Sequence, residues 1–344
     1  MRKIIASFLV MAIITGTMTS CKATTRYEGQ FLQLFDTVST IVAYMDTKAG
    51  FTRFSTMIHD TLNEYHRLYD IYHDYEGVNN IKTINDNAGK KPVMVDRKII
   101  DLMLFSKEAY ERTNGKCNIA LGSVLKIWHK YREEGIDDPE HAKLPAMSEL
   151  QEAAKHTDIN KIIVDEKNST VYLDDPDMSI DVGAVAKGYS TEQAAGKAAG
   201  LGYTSALLSI GGNVRAIGGK TGEKNFWNIG IQNPDKSSTD LLVTRIKDKS
   251  VVTSGIYERY YTVNGKNYHH IIDPDTLMPA AYFKAVTIIC GDSGIADELS
   301  TAIFCMPYEQ GVEIIRRLPD TEALWVMPDG SLKYSESFKR YIKS

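Results

Sequence analysis

Hydrophobic positions along this chain of 344 residues change their period from segment to segment. From Phe35 to Tyr44 branched and polar residues alternate, which predicts a first strand. From Phe51, apolar residues recur at Phe54, Met57, Ile58, Leu62, Tyr65 and Tyr69, the spacing of a helix with one buried stripe. Tyr72 to Lys91 is polar and rich in Asn and Asp, so a long loop is expected there. Asp96 is placed to cap a second helix that ends near Asn114-Gly115. Lys116 to Gly135 is apolar at Ile119, Ala120, Leu121, Val124, Leu125, Ile127 and Trp128, and Ser148 with Gln151 reads as the capping box of a short helix. Ile162–Val164 and Val171–Leu173 flank a polar turn and read as a hairpin.

After Met178-Ser179-Ile180 the order is strand, helix (184–199), strand (206–209), then Gly211-Gly212-Asn213. Residues 227–232, 241–246, 250–254 and 283–289 read as further strands. Asp292 or Ser293 caps a helix running to Phe304, Glu309 to Arg317 makes a last helix, and Pro328-Asp329-Gly330 turns a last hairpin. Tyr260-Tyr261-Thr262-Val263 precedes Asn264-Gly265, a pair suited to a tight turn with positive φ. His270 is then expected on the returning strand, with Asp273-Pro274 where the backbone must leave the sheet. The pattern is α+β, mixed and largely antiparallel with flanking helices, and too rich in hairpins for a doubly wound sheet.

Composition adds little to this and the termini add more. The chain is 43% hydrophobic and 24% charged with formal charge −4, which gives no electrostatic case for a nucleic-acid partner. At the N-terminus, Arg2 and Lys3 precede an apolar run from Ile4 to Ile14, too short to span a bilayer and of secretory-signal form. Met18-Thr19-Ser20-Cys21 is similar to a bacterial lipobox. The expected organisation is a signal over residues 1–20, a lipidated Cys21 with a polar tether to about residue 30, and a single domain over 31–344. Cys290 and Cys305 are able to pair, but buried small hydrophobes are the simpler account of Cys117, Cys290 and Cys305.

Five segments carry possible chemistry. Asp181-Val182-Gly183-Ala184-Val185-Ala186-Lys187-Gly188-Tyr189 lies at a strand-to-helix junction, where small residues let a ligand approach and a helix N-terminus attracts anions. Ser209-Ile210-Gly211-Gly212-Asn213 allows close approach at a strand end. Val252-Thr253-Ser254-Gly255-Ile256-Tyr257-Glu258-Arg259 sets hydroxyls beside an acid–base pair. In Ala296-Asp297-Glu298-Leu299-Ser300-Thr301-Ala302 the four-residue spacing puts Asp297 and Thr301 on one helix face, a hard oxygen set suited to Mg²⁺. His270-Ile271-Ile272-Asp273-Pro274-Asp275-Thr276 is the fifth. Each has a plain structural reading when taken alone.

Together these segments resemble the ApbE family of FAD:protein FMN transferases over roughly Phe31 to the C-terminus. The resemblance implies an ApbE-type, T-fold-like architecture and an Mg²⁺-dependent transfer of FMN from FAD to a threonine hydroxyl of an exported or membrane redox protein, with release of AMP. It implies that Ala184 (through its carbonyl), Asp297 and Thr301 hold the metal. Phe35, Tyr72, Lys116, Cys117, Asn118, Asp181, Lys187, His270 and Ile271 would contact FAD, and His270 would be the base, titrating in the range useful for catalysis. Lys116-Cys117-Asn118 stands where the family has Ala-Phe-Asp, Phe35 where it often has Met, and Leu277 where Gly is common. The implied acceptor carries an Asp-x-x-(Ser/Thr)-Gly-Ala-Thr type segment, and the implied location is the outer face of the bacterial membrane, through a lipid anchor, or the periplasm. An FAD pyrophosphatase yielding FMN and AMP and a non-catalytic flavin-binding lipoprotein are the alternatives.

Overall fold

Eight strands build one antiparallel sheet in the order Thr25–Leu34, Thr37–Met45, Ser205–Ile210, Asn213–Gly218, Ser250–Gly255, Ala285–Cys290, Glu322–Val326 and Leu332–Tyr334. This is a computed structural model; it describes residues 24–343 apart from 36, 222–224, 236–238 and 258 and the side chain of 33. The signal segment, Cys21 and Glu258 lie outside the described residues.

Burial follows position in the sheet. Ser205–Ile210 alternates half-buried and buried, whereas all six residues of Ala285–Cys290 are buried because both faces of that strand are covered. One face carries the helices Lys48–Tyr69, Ala186–Gly200 and Ser293–Phe304, whose apolar stripes join the sheet in two clusters around Phe54, Leu208 and Phe304. The other face is closed by the hairpin Trp227–Ile231 with Leu242–Ile246, together with Phe338 and Tyr341.

Between the second and third strands of the sheet the chain makes a long excursion. It holds the helices Arg97–Arg112, Gly122–Asp137 and Met147–Ala153 and a small sheet of Val93–Met94, Thr170–Leu173 and Ile162–Asp165. Asp96 caps the first of these helices on Lys98 N at 2.8 Å, and Asn114 and Gly115 follow it with φ of 52 and 84, as the stop signal there requires. Asn264 and Gly265 turn the hairpin Tyr260–Val263 with Lys266–His269 at φ of 51 and 76. Asp292 caps the Ser293–Phe304 helix on Gly294 N and Ile295 N.

Four expectations are corrected. Residues 25–30 are not a tether: they are the edge strand of the sheet, with Tyr27 stacked on Phe51 at 5.4 Å. The polar stretch after Tyr72 contains a helix, Ile81–Asp86, started by a reciprocal Asn80–Thr83 capping box. Met178–Ile180 is no strand, because both backbone groups of Ile180 are bound by the Asn85 amide, at 2.7 and 2.9 Å. The short helix at Met147 is capped by Ala146 without a side-chain bond, so Ser148 and Gln151 make no box.

Candidate functional site

The helical face of the sheet meets the excursion and the Tyr260–His269 hairpin at a cleft of about 1110 Å³, ample for a dinucleotide. The Ala186–Gly200 helix enters it by its first turn and the Ser293–Phe304 helix by its middle. They approach closely because residue 188 is Gly: a Cβ there would lie 2.4 Å from Asp297 Cβ and 2.3 Å from Ser293 O. That contact lets Gly188 N donate to Asp297 Oδ2 at 2.8 Å, while Lys187 Nζ stands 3.9 Å from the same oxygen. The Asp297 side chain is only 5% exposed. One turn on, Thr301 Oγ1 lies 3.3 Å from Ser254 Oγ, which is 2.8 Å from Ser300 Oγ. Ala184, Asp297 and Thr301 all line the cleft. A carboxylate, a hydroxyl and a carbonyl are a hard-oxygen donor set, and Asp297 Oδ1 has no hydrogen bond among the described residues, so these groups fit a Mg²⁺-type ion.

His270, which lines the same cleft, follows the hairpin's second strand rather than lying within it. Its backbone N and its Nδ1 both meet Arg259 O, at 3.1 and 3.2 Å. A carbonyl only accepts, so Nδ1 carries the proton and Nε2 is the lone-pair nitrogen. Burial, then the charges of Arg259, Lys187 and Arg132, hold the imidazole down at about 3. This corrects the expectation that His270 of the free protein titrates near neutrality; the ring is a neutral acceptor throughout that range. His269, its neighbour, has both nitrogens bound, Nε2 to Ala280 O at 2.8 Å and Nδ1 to Ile271 N at 3.2 Å.

The expected flavin contacts divide. Phe35, Tyr72, Asp181, Lys187, His270 and Ile271 line the cleft. Tyr72 is 48% exposed, and its hydroxyl meets His129 Nδ1 at 2.8 Å. Asp181 Oδ1 accepts from Gly183 N at 2.8 Å and shapes the turn before the helix. Lys116 also reaches the cleft, but its ammonium sits between Asp273 Oδ1 at 2.6 Å and Asp275 Oδ2 at 2.8 Å and anchors the segment after His270. Asn118 lines the cleft too, but its side chain is used as a cap: Oδ1 accepts from Ala120 N and Nδ2 donates to Thr157 O. Cys117 is not brought to the cleft at all; it is 1% exposed, and burial pushes its thiol well up. Cys117, Cys290 and Cys305 are free and buried, with no disulfide between Cys290 and Cys305. Leu277 takes the left-handed φ of 60, which Gly would adopt without strain, and Trp128 Nε1 donates to its carbonyl at 2.9 Å.

Sequence reasoning missed Arg132 and His129, which reach the cleft from the Gly122–Asp137 helix and stand in none of the five segments. A separate group, His156, Asp175 and Asp177, has metal-like proximity, but Lys161 Nζ already occupies Asp175 at 2.9 Å. Among the described residues, no helix is long and apolar enough to cross a membrane.

Comparison with known proteins agrees with this geometry. The model of the ApbE family matches residues 35–325. The FAD:protein FMN transferase of Treponema pallidum is 34% identical over 269 residues, covering 74% of this chain and 72% of that protein. The FAD:protein FMN transferase of Klebsiella pneumoniae is 33% identical over 266 residues, 76% of this chain and 80% of that one. The crystal structure of the ApbE protein from Thermotoga maritima superposes with a TM-score of 0.81 at 30% identity, covering 93% of this chain and all of that one. The flavin transferase ApbE from Vibrio cholerae has a TM-score of 0.74 at 20% identity, which speaks to the fold.

Proposed function

The chain belongs to the ApbE family, and from that premise we propose that it is an FAD:protein FMN transferase: it moves FMN from FAD to a threonine hydroxyl of an exported or membrane redox protein and releases AMP. The observation that carries this reading is one cleft lined both by Ala184, Asp297 and Thr301 and by His270, whose Nδ1 is held by Arg259 O so that Nε2 keeps the lone pair. A Mg²⁺ ion bound by those oxygens would supply Lewis-acid neutralisation of the pyrophosphate. The chain's own groups do the rest. Lys187 and the start of its helix add positive charge beside the phosphates. Tyr72 and Phe35 flank the flavin. His270 Nε2 takes the proton of the attacking hydroxyl, a contribution of about 10²–10⁴ in rate. Lys116, through Asp273, fixes the segment that carries His270.

The bound pyrophosphate changes the histidine's task. Its negative charge offsets that of Lys187, so the imidazole becomes a stronger base when substrate is present. In the same reading residues 1–20 are an export signal, Cys21 bears the lipid that holds the chain on the outer membrane face, and 31–344 act as one domain. The acceptor presents an Asp-x-x-(Ser/Thr)-Gly-Ala-Thr type segment.

The test is AMP release from FAD and Mg²⁺ in the presence of such an acceptor, with chelator as control. AMP that disappears with EDTA and falls by about 10²-fold or more in Asp297→Asn supports the reading. AMP formation indifferent to both overturns it.

A further inference from the structure

One wall of the cleft carries more positive charge than this chemistry uses. Arg132, on the Gly122–Asp137 helix, and Arg259, just before the Tyr260–Val263 strand, both line the cleft, and both act electrostatically on His270. Neither guanidinium makes an ion pair with a carboxylate among the described residues. The carboxylates that reach Arg132 electrostatically are engaged elsewhere: Glu133 Oε1 lies 3.4 Å from His129 Nε2, and Asp181 Oδ1 accepts from Gly183 N at 2.8 Å. Arg132 is half-buried, and burial first and Arg259 second work against its charge. Two like charges with no carboxylate in ion-pair contact among the described residues, one of them partly desolvated, are unfavourable until an anion joins them; a carboxylate matches the planar fork of a guanidinium with paired hydrogen bonds.

The phosphates of FAD have positive partners of their own in Lys187, the start of its helix and the ion that Ala184, Asp297 and Thr301 would hold. Arg259 is exposed and Tyr72 is 48% exposed, so the arginine wall opens to solvent, where a second macromolecule arrives. Resting on the transferase reading, we propose that Arg132 and Arg259 form a carboxylate-binding subsite at the cleft mouth that seats an acidic side chain of the acceptor protein and so brings its hydroxyl to His270. The same two guanidiniums would also suit a phosphate, and the experiment separates the two sources.

FMN transfer is measured on wild type, Arg132→Gln, Arg132→Lys and Arg259→Gln with two acceptors. One carries an Asp-x-x-Thr-Gly-Ala-Thr segment, and the other has its Asp changed to Asn. FAD affinity is read separately by flavin fluorescence. The expected result is a rise of about tenfold or more in acceptor KM for Arg132→Gln and Arg259→Gln, with the FAD Kd within about twofold of wild type and a partial recovery in Arg132→Lys. The acceptor's Asp→Asn change should cost about tenfold with wild type and little further with Arg132→Gln, the non-additivity of groups in contact. Fully additive losses, or an unchanged acceptor KM, overturn the subsite. A loss of FAD affinity equal to the loss in acceptor KM gives the pair to the FAD phosphates and overturns it as well. Wild type that moves no FMN at all fails differently, because that outcome sinks the transferase reading itself.

Discussion

His269 and His270 are adjacent, and the fold gives them opposite tasks. His269 has both ring nitrogens bound and is 8% exposed, a core residue. His270 keeps one nitrogen free in a cleft where burial first and neighbouring positive charge second hold it at about 3, below its ordinary value of 6.5. A histidine depressed in the folded state takes up its proton on unfolding, so its share of stability is present above about 6.5 and is lost as pH falls toward 3. His270→Gln should therefore narrow the gap between urea midpoints measured at about pH 7 and about pH 5. In histidine NMR titrations the ring should have its midpoint well below 6.5 without ligand and move upward when FAD binds. An ordinary midpoint in the free protein would contradict the electrostatics described here. At this scale the motif around His270 was legible, because Asn-Gly turns and Asp-Pro stops are local signals. The Lys116–Asp273 contact was not: its partners are 157 residues apart. Arg132 gave no signal either, since an arginine on a charged helix face looks the same whether it faces solvent or substrate.

At the scale of elements, the site depends on two helices packed backbone to backbone. Gly188→Ala would drive a methyl group into Ser293 O and Asp297 Cβ, both backbone-bound atoms that cannot swing away. Such overpacking destabilises by about 1–3 kcal/mol, and here it also moves the Asp297 carboxylate from Gly188 N. The expectation is a lower urea midpoint together with a weaker Mg²⁺ dependence of AMP release; unchanged values of both would show that the helices slide apart freely. Strongly capped helices such as those behind Asp96 and Asp292 were legible in the sequence. The Ile81–Asp86 helix was hidden, because one and a half turns have too few apolar positions to set a period. The Thr25–Leu34 strand was hidden for a related reason: an edge strand with one wet face is polar enough to read as a linker. Ile180 shows the reverse case, an apolar run whose backbone is bound by the Asn85 side chain and so never joins a sheet.

At the scale of the whole molecule, the cleft exists because a long excursion between the second and third strands of the sheet folds back over its helical face. The residues that line it run from Phe35 near one end of the chain to Thr301 near the other. No single window of sequence contains the site, and the α+β class was readable from hairpin frequency while the meeting of its parts was not. The three described cysteines are free and buried, so apolar packing, without a disulfide among them, closes the structure. The most direct measurement of the central claim is the intact mass of an acceptor protein with an Asp-x-x-Thr-Gly-Ala-Thr segment after incubation with this protein, FAD and Mg²⁺. The account predicts a gain equal to one FMN, matched mole for mole by free AMP, abolished by EDTA and nearly abolished in His270→Ala although that variant still binds FAD. AMP with an unmodified acceptor, or an FMN adduct formed equally well by His270→Ala, would contradict it.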